Sequence, residues 1–229
     1  MFRQWHMTLA MLLAAPAARA SPYWVTWEEG WPTEQGWLEG WTNPAPQRWL
    51  EDGLLFIDSR SAGGAGVYYQ FLPTLTPTGQ EIFSLRWRTR VLESYPYVDP
   101  GVTVIADDYY TVGFSMDAQS IHSDFEPGNW ASFAPNEFHD FVVESTTMRS
   151  YRLYIDGALA LEGALFEGLF HGPYVAWGDL SSGMSLTSWD SVQYGITPAP
   201  SAFMHLLIPL SYAGSLKRSA RAVSKQLQR

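Results

Sequence analysis

Three features of residues 21–196 predict an all-β fold of two antiparallel sheets packed face to face. First, Phe83, Leu85, Trp87, Thr89 and Val91 alternate with Ser84, Arg86, Arg88 and Arg90, the period of two that gives a strand one buried and one wetted face. Second, Asp156-Gly157 stands between two β-forming runs, 149–155 and 158–161. A two-residue hairpin turn needs positive φ at both central positions, and Asp-Gly supplies it. Third, no stretch of ten residues between 21 and 196 carries the 3.6-residue apolar period of an amphipathic helix.

The remaining strands are read in chain order at 53–58, 67–72, 102–106, 111–116, 138–144, 173–177 and 188–194. Turn-forming residues separate several of them: Tyr95-Pro96, Asp99-Pro100-Gly101 and Glu126-Pro127-Gly128-Asn129. Many short strands with turns at short intervals describe a sandwich rather than a parallel α/β sheet.

Charge divides the chain into three parts. All 23 acidic residues lie between Glu28 and Asp190, whereas residues 21–196 hold seven arginines and no lysine, so the body carries 7 − 23 = −16. A body of that charge repels phosphate backbones, which argues against nucleic acid as a partner. Residues 1–20 read as a secretory signal peptide: Arg3 gives positive charge, 7–15 is a short apolar run, and Ala18-Arg19-Ala20 fits small-x-small cleavage. Cys is absent, so an exported domain must be held by packing rather than by disulfides, and thiol chemistry is excluded. The body of 21–196 is long enough for one domain with a substantial core.

Residues 197–229 form the third part: Thr197-Pro198-Ala199-Pro200-Ser201, an apolar stretch 202–216, then Lys217-Arg218 and Arg221. This order is similar to the PEP-CTERM sorting signal of exported bacterial surface proteins, with Ala199 where that family has Glu. The resemblance implies display at the cell surface, transient membrane anchoring through the tail, and a membrane-bound exosortase-type transpeptidase as partner. Short helical segments are expected in the signal and in the tail.

Phe138-His139-Asp140-Phe141-Val142-Val143, a short turn, and Tyr151-Arg152-Leu153-Tyr154-Ile155-Asp156-Gly157 resemble the central signature of concanavalin A-like, laminin-G-like jelly rolls. Trp177-Gly178-Asp179 with 188–194 resembles the closing strand of the same superfamily. The resemblance implies a two-sheet jelly roll. It leaves function open, because lectins, glycoside hydrolases and adhesion modules share the fold.

The catalytic reading finds little support in the residues. A retaining glycosidase of this fold needs Glu-x-Asp-x-(x)-Glu along one strand, and Phe138 stands where the first acid belongs, ahead of Asp140 and Glu144. A glycoside hydrolase-like enzyme with a non-standard carboxylate pair is the alternative. A purely structural envelope protein is a further one. Gly63-Gly64-Ala65-Gly66 lacks the following helix of a phosphate loop, and the five histidines show no metal spacing.

Glycan binding is the favoured expectation, with an extracellular polysaccharide as partner. Sugar rings stack on exposed aromatic faces while polar neighbours satisfy their hydroxyls. Tyr95, Tyr97, Tyr109, Tyr110 and Trp130 fall in or beside predicted loops, where binding residues concentrate. The tryptophans of 21–50 form a further aromatic cluster that reads either as a sugar-stacking surface or, as the favoured alternative, as cover for an open edge of the sandwich. Arg86, Arg88 and Arg90 form a stripe that either pairs with nearby carboxylates or reads an anionic sugar through forked hydrogen bonds. For a structural calcium, Asp107 and Asp108 are loop oxygen donors, and Asp190 matches an aspartate that binds calcium in some relatives. Each also serves as an ordinary turn aspartate.

Overall fold

A computed structural model of the chain describes residues 23–26, 30–41, 45–60, 67–71, 81–94, 100–105, 110–168, 173–179 and 184–198. The signal segment, the tail beyond residue 198, and the helices expected in them lie outside the described residues, as do Tyr95, Tyr97, Asp107, Asp108 and Tyr109.

The strands are β1 Tyr23–Thr26, β2 Leu38–Trp41, β3 Gln47–Glu51, β4 Leu54–Asp58, β5 Val67–Phe71, β6 Glu81–Ser94, β7 Pro100–Ile105, β8 Tyr110–Met116 and β9 Ser120–Ser123. They continue as β10 Trp130–Ser132, β11 His139–Ser145, β12 Ser150–Ile155, β13 Ala158–Ala164, β14 Phe166–Glu167, β15 Tyr174–Asp179 and β16 Ser185–Pro198. Among the described residues the only helical element is a 3-10 turn, Pro32–Gln35. The first sheet runs β13-β12-β11-β6-β16-β4-β3, with β1 on β16; the second runs β10-β9-β8-β7-β15-β5-β2, with β14 on β8. The chain crosses between sheets at β1–β2, β2–β3, β4–β5, β5–β6, β6–β7, β10–β11, β13–β14 and β15–β16, which gives the jelly-roll sandwich expected from the sequence.

Burial follows the alternation residue by residue. Phe83, Leu85, Trp87, Thr89 and Val91 of β6 are all buried, while Arg86, Arg88 and Arg90 point away from the core. On the neighbouring strand Phe141 sits opposite Trp87, and their rings stack at 5.2 Å. Between the sheets, Trp177 of β15 packs against Tyr69 at 4.7 Å, Trp189 at 5.1 Å and Trp37 at 5.7 Å. Each such large side chain withdrawn from water contributes about 1.5–3 kcal/mol. Trp37, from the Trp-rich N-terminal stretch, is therefore core, and Trp31 is half-buried against it.

Two hairpins turn on Asp-Gly. Asp156 has φ 51° and Gly157 φ 82°, the doubly positive pair the sequence called for between β12 and β13. Asp52 and Gly53, at 53° and 73°, make the same turn between β3 and β4.

Candidate functional site

The groove with the clearest binding chemistry lies on the β8–β9–β10 meander at one edge of the second sheet. Register places Ser115 opposite His122 and His122 opposite Trp130, with Ser132 opposite Ser120. Because side chains alternate, Ile121 goes to the core and is fully buried, so Ser120 and His122 share the outer face with Trp130 and Ser132. Trp130 is 57% exposed, the largest aromatic surface among the described residues. Its ring lies 6.4 Å from that of His122 at an interplanar angle of 30°. Gln119, Ser120, His122, Trp130, Ser132 and Phe133 line a cavity of about 440 Å³ here.

Local chemistry fixes both flanks of the groove. In the β8–β9 turn, the Asp117 carboxylate accepts from Gln119 N at 2.7 Å, Ser120 N at 2.6 Å and Ser120 Oγ at 2.5 Å. Burial pushes this carboxyl up, but those donors, with His122, hold it below the usual carboxylate range. On the other flank, Glu126 accepts from Tyr151 Oη at 2.6 Å, Asn129 Nδ2 at 2.8 Å and Ala164 N at 3.0 Å. The turn that delivers Trp130 is thereby tied to β12 and β13 of the other sheet. Glu126 too is raised by burial and lowered, on balance, by its donors. Burial and the Glu126 carboxylate together push the Tyr151 phenol up. Phe133 closes the groove and packs on His139 and Phe141 at 5.0 and 5.4 Å.

Ser120, His122 and Asp117 do not form a hydrolytic triad. A triad imidazole meets the serine at one nitrogen and the carboxylate at the other. Here Ser120 Oγ, at 2.8 Å, and Asp117 Oδ2, at 3.4 Å, both face Nε2.

The other residues singled out in the sequence lie elsewhere. The arginine stripe is on the outer face of the first sheet, so it does not share the Trp130 groove. Asp140 bridges Arg86 Nη2 at 3.0 Å and Arg88 Nη1 at 3.2 Å; Arg88 Nε also faces Asp190 Oδ2 at 3.3 Å. Arg90 lies over the Phe138 ring at 4.7 Å. Tyr110, at the start of β8, has its ring covered by the Arg149 guanidinium at 3.5 Å. A guanidinium is the neighbour shown at Asp190, and the described residues contain no group of three or more His, Cys, Asp or Glu side chains placed to hold a metal.

Sequence reasoning had singled out Trp130 but not His122, Ser120, Asp117, Gln119, Ser132 or Phe133. The usable signal was the alternation of 120–123 just after an Asp that caps its own turn, Asp117-Ala118-Gln119-Ser120.

No protein-family model matches the chain, and no curated protein matches it. Among solved structures, a carbohydrate esterase from Shiga toxin-encoding bacteriophage phi24B aligns over 77% of this chain and 97% of its own, at 14% identity and a TM-score of 0.55. The carbohydrate recognition domain of Emp47p aligns over 71% of this chain and 88% of its own, at 9% identity and a TM-score of 0.43. A protein of unknown function from Shewanella oneidensis MR-1 aligns over 80% and 89%, at 13% identity and 0.47. The esterase alignment shows a shared jelly-roll fold, and at that identity it transfers no chemistry.

Proposed function

We propose that this chain is an exported surface or matrix protein whose jelly roll binds carbohydrate without catalysis, a sugar ring stacking on Trp130. The observation that carries the reading is the exposed Trp130 indole at a groove rimmed by Gln119, His122 and Ser132. An aromatic platform with convergent polar groups is the chemistry that holds a polyol ring. Among the described residues no lysine or arginine lines the groove, and the body is strongly acidic, so an uncharged glycan suits it better than a sulfated or uronic one. Export rests on residues 1–20, and surface display and the sorting transpeptidase on the PEP-CTERM-like tail.

The test is binding of the purified chain to a glycan array, with calcium and again with a chelator, since Asp190, Asp107 and Asp108 are the calcium candidates. Binding to uncharged glycans that Trp130→Ala abolishes supports the reading. Binding unchanged by Trp130→Ala, or no binding to any glycan, overturns it and leaves the structural envelope role in front. Loss with chelator supports calcium; no change removes it.

A further inference from the structure

His122 lines the groove with one ring nitrogen bonded to its own turn and the other without a hydrogen-bond partner among the described residues. Ser120 Oγ is 2.5 Å from Asp117 Oδ2, so the hydroxyl proton belongs in that bond and the serine oxygen is left to accept. His122 Nε2 lies 2.8 Å from that serine oxygen and 3.4 Å from Asp117 Oδ2. An unprotonated Nε2 would set its lone pair against two oxygen atoms, so the hydrogen-bond network assigns the proton to Nε2. In the neutral ring Nδ1 is then a pure acceptor. It has no hydrogen-bond partner among the described residues, and the side chain is 43% exposed.

Three side chains therefore line one cavity together: the exposed Trp130 indole, His122 with its unpartnered Nδ1, and the Phe133 ring. We propose that the groove selects N-acetylated amino sugars, with the acetamido N–H donating to His122 Nδ1, and that protonation of His122 releases the ligand. This rests on the reading of the groove as a carbohydrate site. Phe133 packs inward on His139 and Phe141, and an acetamido methyl would extend that apolar contact on the groove side, which a plain hydroxyl would not. The N–H also explains why charge matters. A hydroxyl can rotate and accept from a protonated ring, but an amide N–H only donates, so imidazolium leaves two donors facing each other.

The ionisable groups facing His122 are Asp117, from the β8–β9 turn, and Asp124, from the turn after β9. Ser115 Oγ of β8 donates to Asp124 at 2.6 Å, and Trp130 of β10 does not titrate. Both of these charged neighbours are acids. Imidazoles change charge between about pH 5 and 8, which brackets the comparison.

The experiment titrates the full chain with tri-N-acetylchitotriose and with cellotriose, which carries hydroxyls in place of the acetamides, following tryptophan fluorescence at about pH 8 and about pH 5. The acetylated trisaccharide should bind at least about tenfold tighter at the higher pH and lose about tenfold on acidification, the worth of one hydrogen bond. His122→Gln, which keeps an acceptor oxygen and cannot titrate, should bind with no pH dependence. Equal affinity for the two trisaccharides, no binding of either, or an acid loss that persists in His122→Gln overturns the inference. Trp130→Ala separates the two readings. If it leaves trisaccharide binding intact, the groove itself is wrong; if it abolishes binding that shows no acetamide preference, the groove stands and the inference falls.

Discussion

Replacing Asp156 by Ala removes three contributions from one point of the first sheet. Oδ2 lies 2.6 Å from Nδ1 of the buried His139, Oδ1 accepts from Asp140 N at 2.9 Å, and the residue holds φ 51° at the β12–β13 turn. His139 Nε2 bonds the Ala134 carbonyl at 2.8 Å, so the ring joins the hairpin tip to the loop before β11. The Asp156 side chain is 52% exposed, so solvent screens both bonds and each takes the low end of the usual range, about 1 kcal/mol. The left-handed backbone adds about 1 kcal/mol once Ala replaces a residue that tolerates it. Asp156→Ala should therefore lower stability by about 3 kcal/mol. Asp156→Asn keeps the turn and one acceptor and should cost about 1 kcal/mol. Urea unfolding followed by tryptophan fluorescence reads both as shifts in midpoint at constant slope. Equal losses for Ala and Asn, or a loss below about 0.5 kcal/mol for Ala, would refute the reasoning. The pH dependence supplies a check. Burial raises the Asp156 carboxyl, but the His139 and Asp140 hydrogen bonds and the Arg88 charge hold it below the usual range. The unfolded chain then takes up the proton at a higher pH than the folded one. The stabilisation is present above about pH 4 and lost as pH falls through the lower folded value, so wild type and Asp156→Ala should converge in acid.

Two further outcomes follow from the same structure. Trp177 is fully buried among Trp37, Tyr69 and Trp189, so Trp177→Ala should cost about 3–5 kcal/mol and show as a large drop in melting temperature; a drop of a degree or two would mean the inter-sheet core is misplaced. Asp58, held low by its Arg60 hydrogen bonds, and Asp117 and Glu126, held low by their donors, each stabilise the fold above the ordinary carboxylate range. The urea midpoint should hold from pH 7 to about pH 5 and fall as the pH drops through and below the ordinary carboxylate range, and by less in Glu126→Gln; an acid-insensitive midpoint would contradict those assignments.

The fold was legible wherever a strand had one clean apolar face. β6, β11, β12 and the Asp156-Gly157 turn stand where the alternation put them, because burying Phe83, Leu85, Trp87, Phe141 and Leu153 fixes the register. β3, with the second Asp-Gly turn, was missed, since Trp49 and Leu50 sit in a stretch so rich in tryptophan that no period shows; Trp49 stacks on Phe56 at 5.0 Å. β9 and β10 are four and three residues long, too short for a period to declare itself, and they are the strands that build the groove. Trp130 could be picked out as an aromatic beside a turn. Its neighbour His122 could not, because it stands eight positions away in the chain and only the β9–β10 register sets them opposite. The arginine stripe shows the converse. Its spacing was plain, but whether it faced a ligand or carboxylates depended on Asp140 and Asp190, which arrive from β11 and β16.

The most direct test of the central claim is a map of amide and indole NMR shifts as the best array ligand is added to the full chain. Shifts centred on the Trp130 indole and spreading to Gln119, His122, Ser132 and Phe133, with Arg86, Arg88 and Arg90 unmoved, are the predicted result. Shifts centred on the arginine face of the first sheet, with Trp130 silent, would contradict it.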